Sequence, residues 1–332
     1  MRDGLLFCST LDARFAGRWL AMHRSLARYV PNLRMSAVCL DDEARAILER
    51  LRLPGVTILT LPELEAHDPE LVAARASRTA REYISAMRPS ILLRLVEDER
   101  PSAVVYVDAD LMFFADPAPL LRELDHASVV LVPQWHTEEK RHLDETFGTY
   151  NGGTIAFRGD AAGLAALRRW REQCLEWTGL TPEPGRFGNQ RYLNEWPAKL
   201  PGVRVASHIG LGVAPWNVER YELAAGPGDG EVLVDGEPLV FYHHSGVSLA
   251  GGPAPLLRLM SLTRALRFQR GRVPFSWGHH WHLIPRPERE LVWEPYMRAV
   301  AAALETVGGD ARAGLGPPWQ QFREVALGRR LL

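Results

Sequence analysis

Short apolar runs punctuate the first half of the chain: Leu5 to Cys8, Met35 to Leu40, Val56 to Leu59, Ala103 to Val107 and Val129 to Val132. They are too short for buried helices and do not alternate with polar residues, which is the pattern of strands covered on both faces of a parallel sheet. Between them, Gly17 to Val30, Asp41 to Leu51 and Ile91 to Glu99 carry apolar residues at the i, i+3, i+4 spacing of an amphipathic helix. Asp41 reads as an N-cap and Pro31 as a stop. Strand and helix in alternation, joined by right-handed crossovers, predict an α/β fold: a Rossmann-like, doubly wound, mostly parallel sheet whose ligand lies beyond the carboxyl ends of the strands.

The pattern changes after residue 150. Thr154 to Phe157 reads as a strand and Ala161 to Trp177 as a helix, with Arg168, Arg169 and Arg171 on a solvated face. A helical turn over Gly188 to Trp196 precedes short strands at Val203 to Val205, Val232 to Val234 and Leu239 to Tyr242. Residues 1–180 hold 9 Pro and 9 Gly, whereas residues 181–332 hold 15 and 19, so the second half is the looser one. Two further helices are expected at Leu256 to Phe268 and Leu291 to Glu305. The organisation expected is a catalytic domain over residues 1–250 and a helical C-terminal extension over 251–332 packed on it.

The strongest chemical signal is the strand Val104 to Val107 running straight into Asp108-Ala109-Asp110. Carboxylates are costly to bury unpaired. Two of them at the open end of a parallel strand suit Mn²⁺ or Mg²⁺ held together with a ligand's phosphates. A second apolar strand ends in His243 and His244, either of which could complete such a site, since imidazole accepts Mn²⁺. Asn151-Gly152-Gly153, before a strand, lets backbone approach a ligand closely, and Asn189-Gln190 opens a helical turn with groups that both donate and accept, as sugar hydroxyls require.

Composition narrows the field. The formal net charge of −1 provides no field to hold a nucleic-acid backbone, so no nucleic-acid partner is expected. Lys140 and Lys199 are the only lysines, and Cys8, Cys39 and Cys174 form no Cys-x-x-Cys pair, which sets aside a thiolate zinc site and fits a reducing, cytoplasmic location. Nowhere do 18 apolar residues follow one another, and the first residues do not read as a signal peptide, so no membrane span is expected. The ending FREVALGRRLL, with Arg329 and Arg330 beside apolar neighbours, leaves room for peripheral contact with the inner membrane face. The Trp277 to His282 cluster matches no zinc-ligand spacing and reads as a surface or acceptor-site loop.

In chain order, FCSTLDARF, MRPSILL, YVDADLMFF, YNGGTIAF, FGNQRYLNEW, APWN and FYHHSG resemble bacterial members of the retaining family 8 glycosyltransferases of the GT-A fold, over roughly residues 4 to 250. The resemblance implies a hexosyltransferase that uses a nucleotide diphosphate sugar, by family habit a UDP-sugar, and a hydroxyl acceptor: a saccharide, a lipid-linked glycan or a small molecule. It implies metal ligation by Asp108, Asp110 and His243, with His244 the fallback. Donor contacts fall on Thr10, Asp12, Arg88, Asp108, Ala109, Asn151, Gly152 and Gly153, with Arg14 nearby, and catalytic roles on Asp110, Asn189 and Gln190. Asn189 departs from the family, which usually carries Asp there. Trp216 and Asn217 match a family segment and read as packing. An Asp-x-Asp phosphatase-type hydrolase and a non-catalytic carbohydrate- or nucleotide-binding protein are the alternatives.

Overall fold

The computed structural model describes residues 4–245, 247–249, 266–270, 273–277 and 286–308. The chain begins β1 (Leu5–Leu11), α1 (Ala16–Ala27), β2 (Met35–Cys39), α2 (Asp42–Leu51) and β3 (Val56–Thr60). The short helices α3 (Leu61–Ala66) and α4 (Pro69–Arg75) lead into the long α5 (Ala80–Glu99). There follow β4 (Ala103–Val107), β5 (Leu111–Phe113), α6 (Ala118–Leu124), β6 (Val129–Pro133), α7 (His142–Phe147), β7 (Tyr150–Arg158), α8 (Ala161–Glu176) and β8 (Val203–Val205). These build one seven-stranded sheet in the order β3-β2-β1-β4-β7-β6-β8. Strands β1 to β4 pair in parallel, as does β6 with β8, whereas β7 runs antiparallel to both its neighbours. The expected mostly parallel α/β sheet is the architecture found.

Alternate residues of β1 serve two cores. Leu5, Phe7 and Leu11 pack on the side of α1 and the last helix, while Leu6 and Cys8 face the side covered by α5 and α8. Helix starts follow local chemistry: Asp41 accepts from the Ala44 amide at 2.7 Å, and Thr79 and Glu82 close a capping box ahead of α5. That box corrects one expectation. Helix α5 begins at Ala80 rather than Ile91 and runs through Pro89, because the capping box and the buried face of Tyr83, Ala86 and Met87 outweigh the lost amide.

Beyond the sheet, β9 (Leu223–Ala225), β10 (Val232–Val234) and β11 (Glu237–Pro238) form a small antiparallel sheet, and β12 (Phe241–His243) pairs antiparallel with β5. The helix expected over Leu256 to Phe268 is not found where it can be followed. Leu266–Arg270 is a strand paired with Val273–Trp277, consistent with the period-2 alternation of Leu266, Arg267, Phe268 and Gln269, and residues 256–265 lie outside the described residues. Residues 278–282 of the Trp/His cluster and the tail from 309 also lie outside them. The last expected helix is present as Glu294–Val307, after a π-turn over Arg289–Trp293. It packs along α1, sharing one core cluster with it. Among the described residues no helix is long and apolar enough to cross a membrane.

The contact between α1 and the last helix turns on Gly17, where an added Cβ would lie 2.6 Å from Leu304 Cδ2 and 2.8 Å from its Cγ. A Gly to Ala change in a helix interior ordinarily stabilises by about 1 kcal/mol, and overpacking costs about 1–3 kcal/mol. Gly17→Ala is therefore expected to destabilise the wild type but to stabilise a Leu304→Ala background. Urea unfolding of the four-member cycle should return a coupling of about 1 kcal/mol or more.

Candidate active site

The site forms where β4 leaves the sheet. Asp108 follows its last residue, and the Asp108 amide donates to the Gly153 carbonyl of β7 at 2.8 Å. The turn through Ala109, which is buried, and Asp110 reverses the chain into β5, whose register with β12 sets His243 opposite Leu111. The His244 amide then donates to the Asp110 carbonyl at 2.9 Å. Backbone pairing thus brings the His243 ring to the two carboxylates: Nε2 is 3.1 Å from Asp110 Oδ1 and 3.9 Å from Asp108 Oδ2. Burial alone would raise the Asp110 carboxyl, but the facing His243, with Arg18 of α1 behind it, holds the group below the ordinary carboxylate range. Burial works to lower His243, and the attraction of Asp110 and Asp108 outweighs it and raises the ring.

His244 points the other way, as consecutive strand residues do. It is fully buried, stacked on Tyr296 with centroids 3.7 Å apart, and burial pushes its pKa down to about 3. Of the two histidines, only His243 stands with the aspartates.

One ligand atom from each of Asp108, Asp110 and His243 lies within 4.8 Å of the others. Two carboxylates and an imidazole form a donor set suited to Mn²⁺ or Mg²⁺. Gly153 lets these side chains close on its backbone, since a Cβ there would stand 2.4 Å from Asp108 Oδ2 and 2.9 Å from His243 Cε1. These residues fit a divalent cation.

Arg88 of α5 flanks the trio. Its Nη2 donates to Asp108 Oδ1 at 2.6 Å and its Nη1 to the Gly152 carbonyl at 2.8 Å, while the guanidinium lies 4.8 Å from the Tyr106 ring centroid. Asn151 has Nδ2 at 3.2 Å from His243 Nδ1 and Oδ1 at 2.6 Å from the Gly153 amide. Gly152 leaves room for Asn189, whose Oδ1 would be 2.6 Å from a Cβ there, with Gln190 Cβ at 3.4 Å. Gln190 donates from Nε2 to the Phe147 carbonyl at 2.7 Å.

Two expected donor contacts are engaged inside the protein. The Thr10 hydroxyl is 2.9 Å from the Tyr106 hydroxyl, and Asp12 caps the Phe15 amide at 3.0 Å while pairing with Arg14 at 2.7 Å. Of the other neighbours of the trio, Trp216 and Asn217 read as packing in the sequence, and Arg18 carried no reading. The Trp216 ring stands edge-on to His243 at 5.4 Å with Nε1 bonded to the Gln134 carbonyl, and Asn217 ties that loop to Gln134 and Gly212. For Arg18 the available signal was an arginine set among the apolar first turns of α1.

The sequence matches the family described as nucleotide-diphospho-sugar transferase over residues 33–199. It is 31% identical to Bacillus subtilis YfnD over 233 residues, spanning 69% of this chain and 74% of that one, and 31% identical to YfnF of the same organism over 248 residues, 72% and 80%. Among solved structures, the galactosyltransferase LgtC in complex with donor and acceptor sugar analogs is similar at a TM-score of 0.54 with 14% identity, covering 93% of this chain and all of LgtC. An active-site mutant of LgtC gives 0.51 with 15% identity over the same shares. The two structures share this chain's fold.

The asparagine at 189 has a local cause. Pro89 has no amide to give the Ser85 carbonyl four residues back in α5, and Asn189 Nδ2 donates to that carbonyl at 3.0 Å. A carboxylate has no hydrogen to offer there. Asn189→Ala is expected to cost about 1–3 kcal/mol by leaving the carbonyl unpaired. In a Pro89→Ala background, which restores a helical donor, the cost should fall by about half or more, measured by denaturant unfolding.

Proposed function

The chain belongs to the nucleotide-diphospho-sugar transferase family, and on that premise we propose that it moves a hexose from a UDP-sugar to an acceptor hydroxyl with retention, using a divalent ion held by Asp108, Asp110 and His243. The observation that carries the reading is the convergence of these three side chains at the end of β4, against a wall of bare glycine backbone. When bound, such an ion supplies positive charge against the departing diphosphate. Arg88 holds Asp108 in place through an ion pair at 2.6 Å and adds a fixed cation beside it. Gly152 and Gly153 let the sugar and phosphates approach the backbone.

Support for retention comes from the strip next to Gly152. It presents the amides of Asn189 and Gln190, and neither is a base at neutral pH. With Nε2 fixed on the Phe147 carbonyl, Gln190 is oriented, and its Oε1 can shield positive charge developing at the anomeric carbon while the leaving phosphate takes the acceptor's proton on the same face. The acceptor is a saccharide, a lipid-linked glycan or a small molecule; the lipid-linked case would bring the enzyme to the inner face of the membrane. No observation favours the phosphatase-type or the non-catalytic reading.

Purified protein with Mn²⁺ and a panel of UDP-sugars should hydrolyse or transfer at least one donor. EDTA should abolish this and Mn²⁺ restore it, and Asp110→Ala should lower turnover by about 10²-fold or more with an unchanged circular dichroism spectrum. Full activity in EDTA would refute the metal assignment. Gln190→Ala should lower kcat more than it raises KM, because its contact strengthens only as charge develops. Proton NMR of a gluco or galacto product should show the small coupling of an α anomer; a large axial-axial coupling would mean inversion.

A further inference from the structure

Asn151 was expected to touch the donor, yet its carboxamide is occupied. The side chain is 7% exposed, and both ends have protein partners. Which end faces which partner is dictated by chemistry. The Gly153 amide can only donate, so the Asn151 atom 2.6 Å away is the carbonyl oxygen, and the group 3.2 Å from His243 Nδ1 is the NH₂. An NH₂ facing a ring nitrogen needs a lone pair there. Nδ1 is therefore bare, and the ring hydrogen sits on Nε2, 3.1 Å from Asp110 Oδ1, where it donates to the carboxylate.

We propose that Asn151 is a positioning residue whose carboxamide decides whether His243 donates to Asp110 or offers Nε2 to a cation. In the arrangement seen, the ring serves as a clasp on Asp110. For Nε2 to present a lone pair, the hydrogen must reside on Nδ1, and Asn151 must turn its oxygen to the ring, which gives up the bond from the Gly153 amide. That amide then loses its partner and can take an oxygen of the bound donor instead. The inference rests on the donor-site reading above and goes beyond it, because Asn151 acts through His243 rather than by touching the sugar. Outer partners of ligating histidines typically change metal affinity by about 10- to 100-fold.

Asn151→Asp separates this role from others, since a carboxylate only accepts and can take hydrogens from Nδ1 and from Gly153 together. Long-range ¹H–¹⁵N NMR at a pH that keeps imidazole neutral, with His243→Gln for assignment, should show His243 carrying its hydrogen on Nε2 in the metal-free wild type and on Nδ1 in Asn151→Asp. Electron paramagnetic resonance titration of Mn²⁺ in the presence of UDP should show affinity held or increased in Asn151→Asp and reduced about tenfold in Asn151→Ala. A wild-type ring with its hydrogen on Nδ1, or Mn²⁺ affinity unmoved in both variants, overturns the proposal. A wild type that binds no Mn²⁺ with UDP instead overturns the donor-site reading and leaves the NMR result to judge Asn151. Should Asn151→Ala fail to fold, the wild type and Asn151→Asp still decide.

Discussion

A carboxylate at the end of a fully buried strand is costly to leave unpaired, and Arg88 pairs with Asp108 at 2.6 Å. Much of the site can be traced from this pair. To reach Asp108, the guanidinium must come from a helix crossing the sheet at the level of β4, which places Arg88 on α5 and over the Tyr106 ring. Its second arm fixes the Gly152 carbonyl, so β7 is registered against the same point. Because β7 runs antiparallel to β4, its first residues rather than its last meet the carboxyl end of β4. Asn151, Gly152 and Gly153 therefore stand at the ligand end of the sheet.

A proline directly after Arg88 opens the helical ladder at Ser85, and the unpaired carbonyl takes its hydrogen bond from Asn189, far away in sequence. One helix irregularity thus connects the residue that neutralises Asp108 to the strip that carries Gln190.

The parts of this arrangement that could be read from the sequence are those encoded locally. The apolar runs fixed the order and type of the first strands, and the aspartates after Val107 marked the ligand end of the sheet. Geometry between distant segments was hidden. The bond between the Thr10 and Tyr106 hydroxyls, across 96 positions, has no signature in the local sequence. The choice between His243 and His244 needed the register of β12 against β5, a pairing between residues more than a hundred positions apart. Helix α5 reaches further toward its start than the apolar spacing of Ile91 to Glu99 indicates, because capping and burial carry it through Pro89. The segment around Leu266 read as a helix because both periods can be fitted to a few apolar residues, and pairing with Val273–Trp277 decides for strand.

Strand β12 is gripped on both sides of His243. The Tyr242 hydroxyl donates to Glu288 at 2.7 Å, Trp293 donates to the same carboxylate at 2.8 Å, and His244 lies flat on Tyr296. During synthesis, Asp108 and Asp110 leave the ribosome well before residues 286–308, which hold their third companion in place. A partly made chain can close the Arg88–Asp108 pair and set β12 against β5, but it lacks the partners that grip Tyr242 and His244 on either side of the His243 ring. The last part of the chain to emerge thus completes the support of a centre whose carboxylates can already be paired with an arginine.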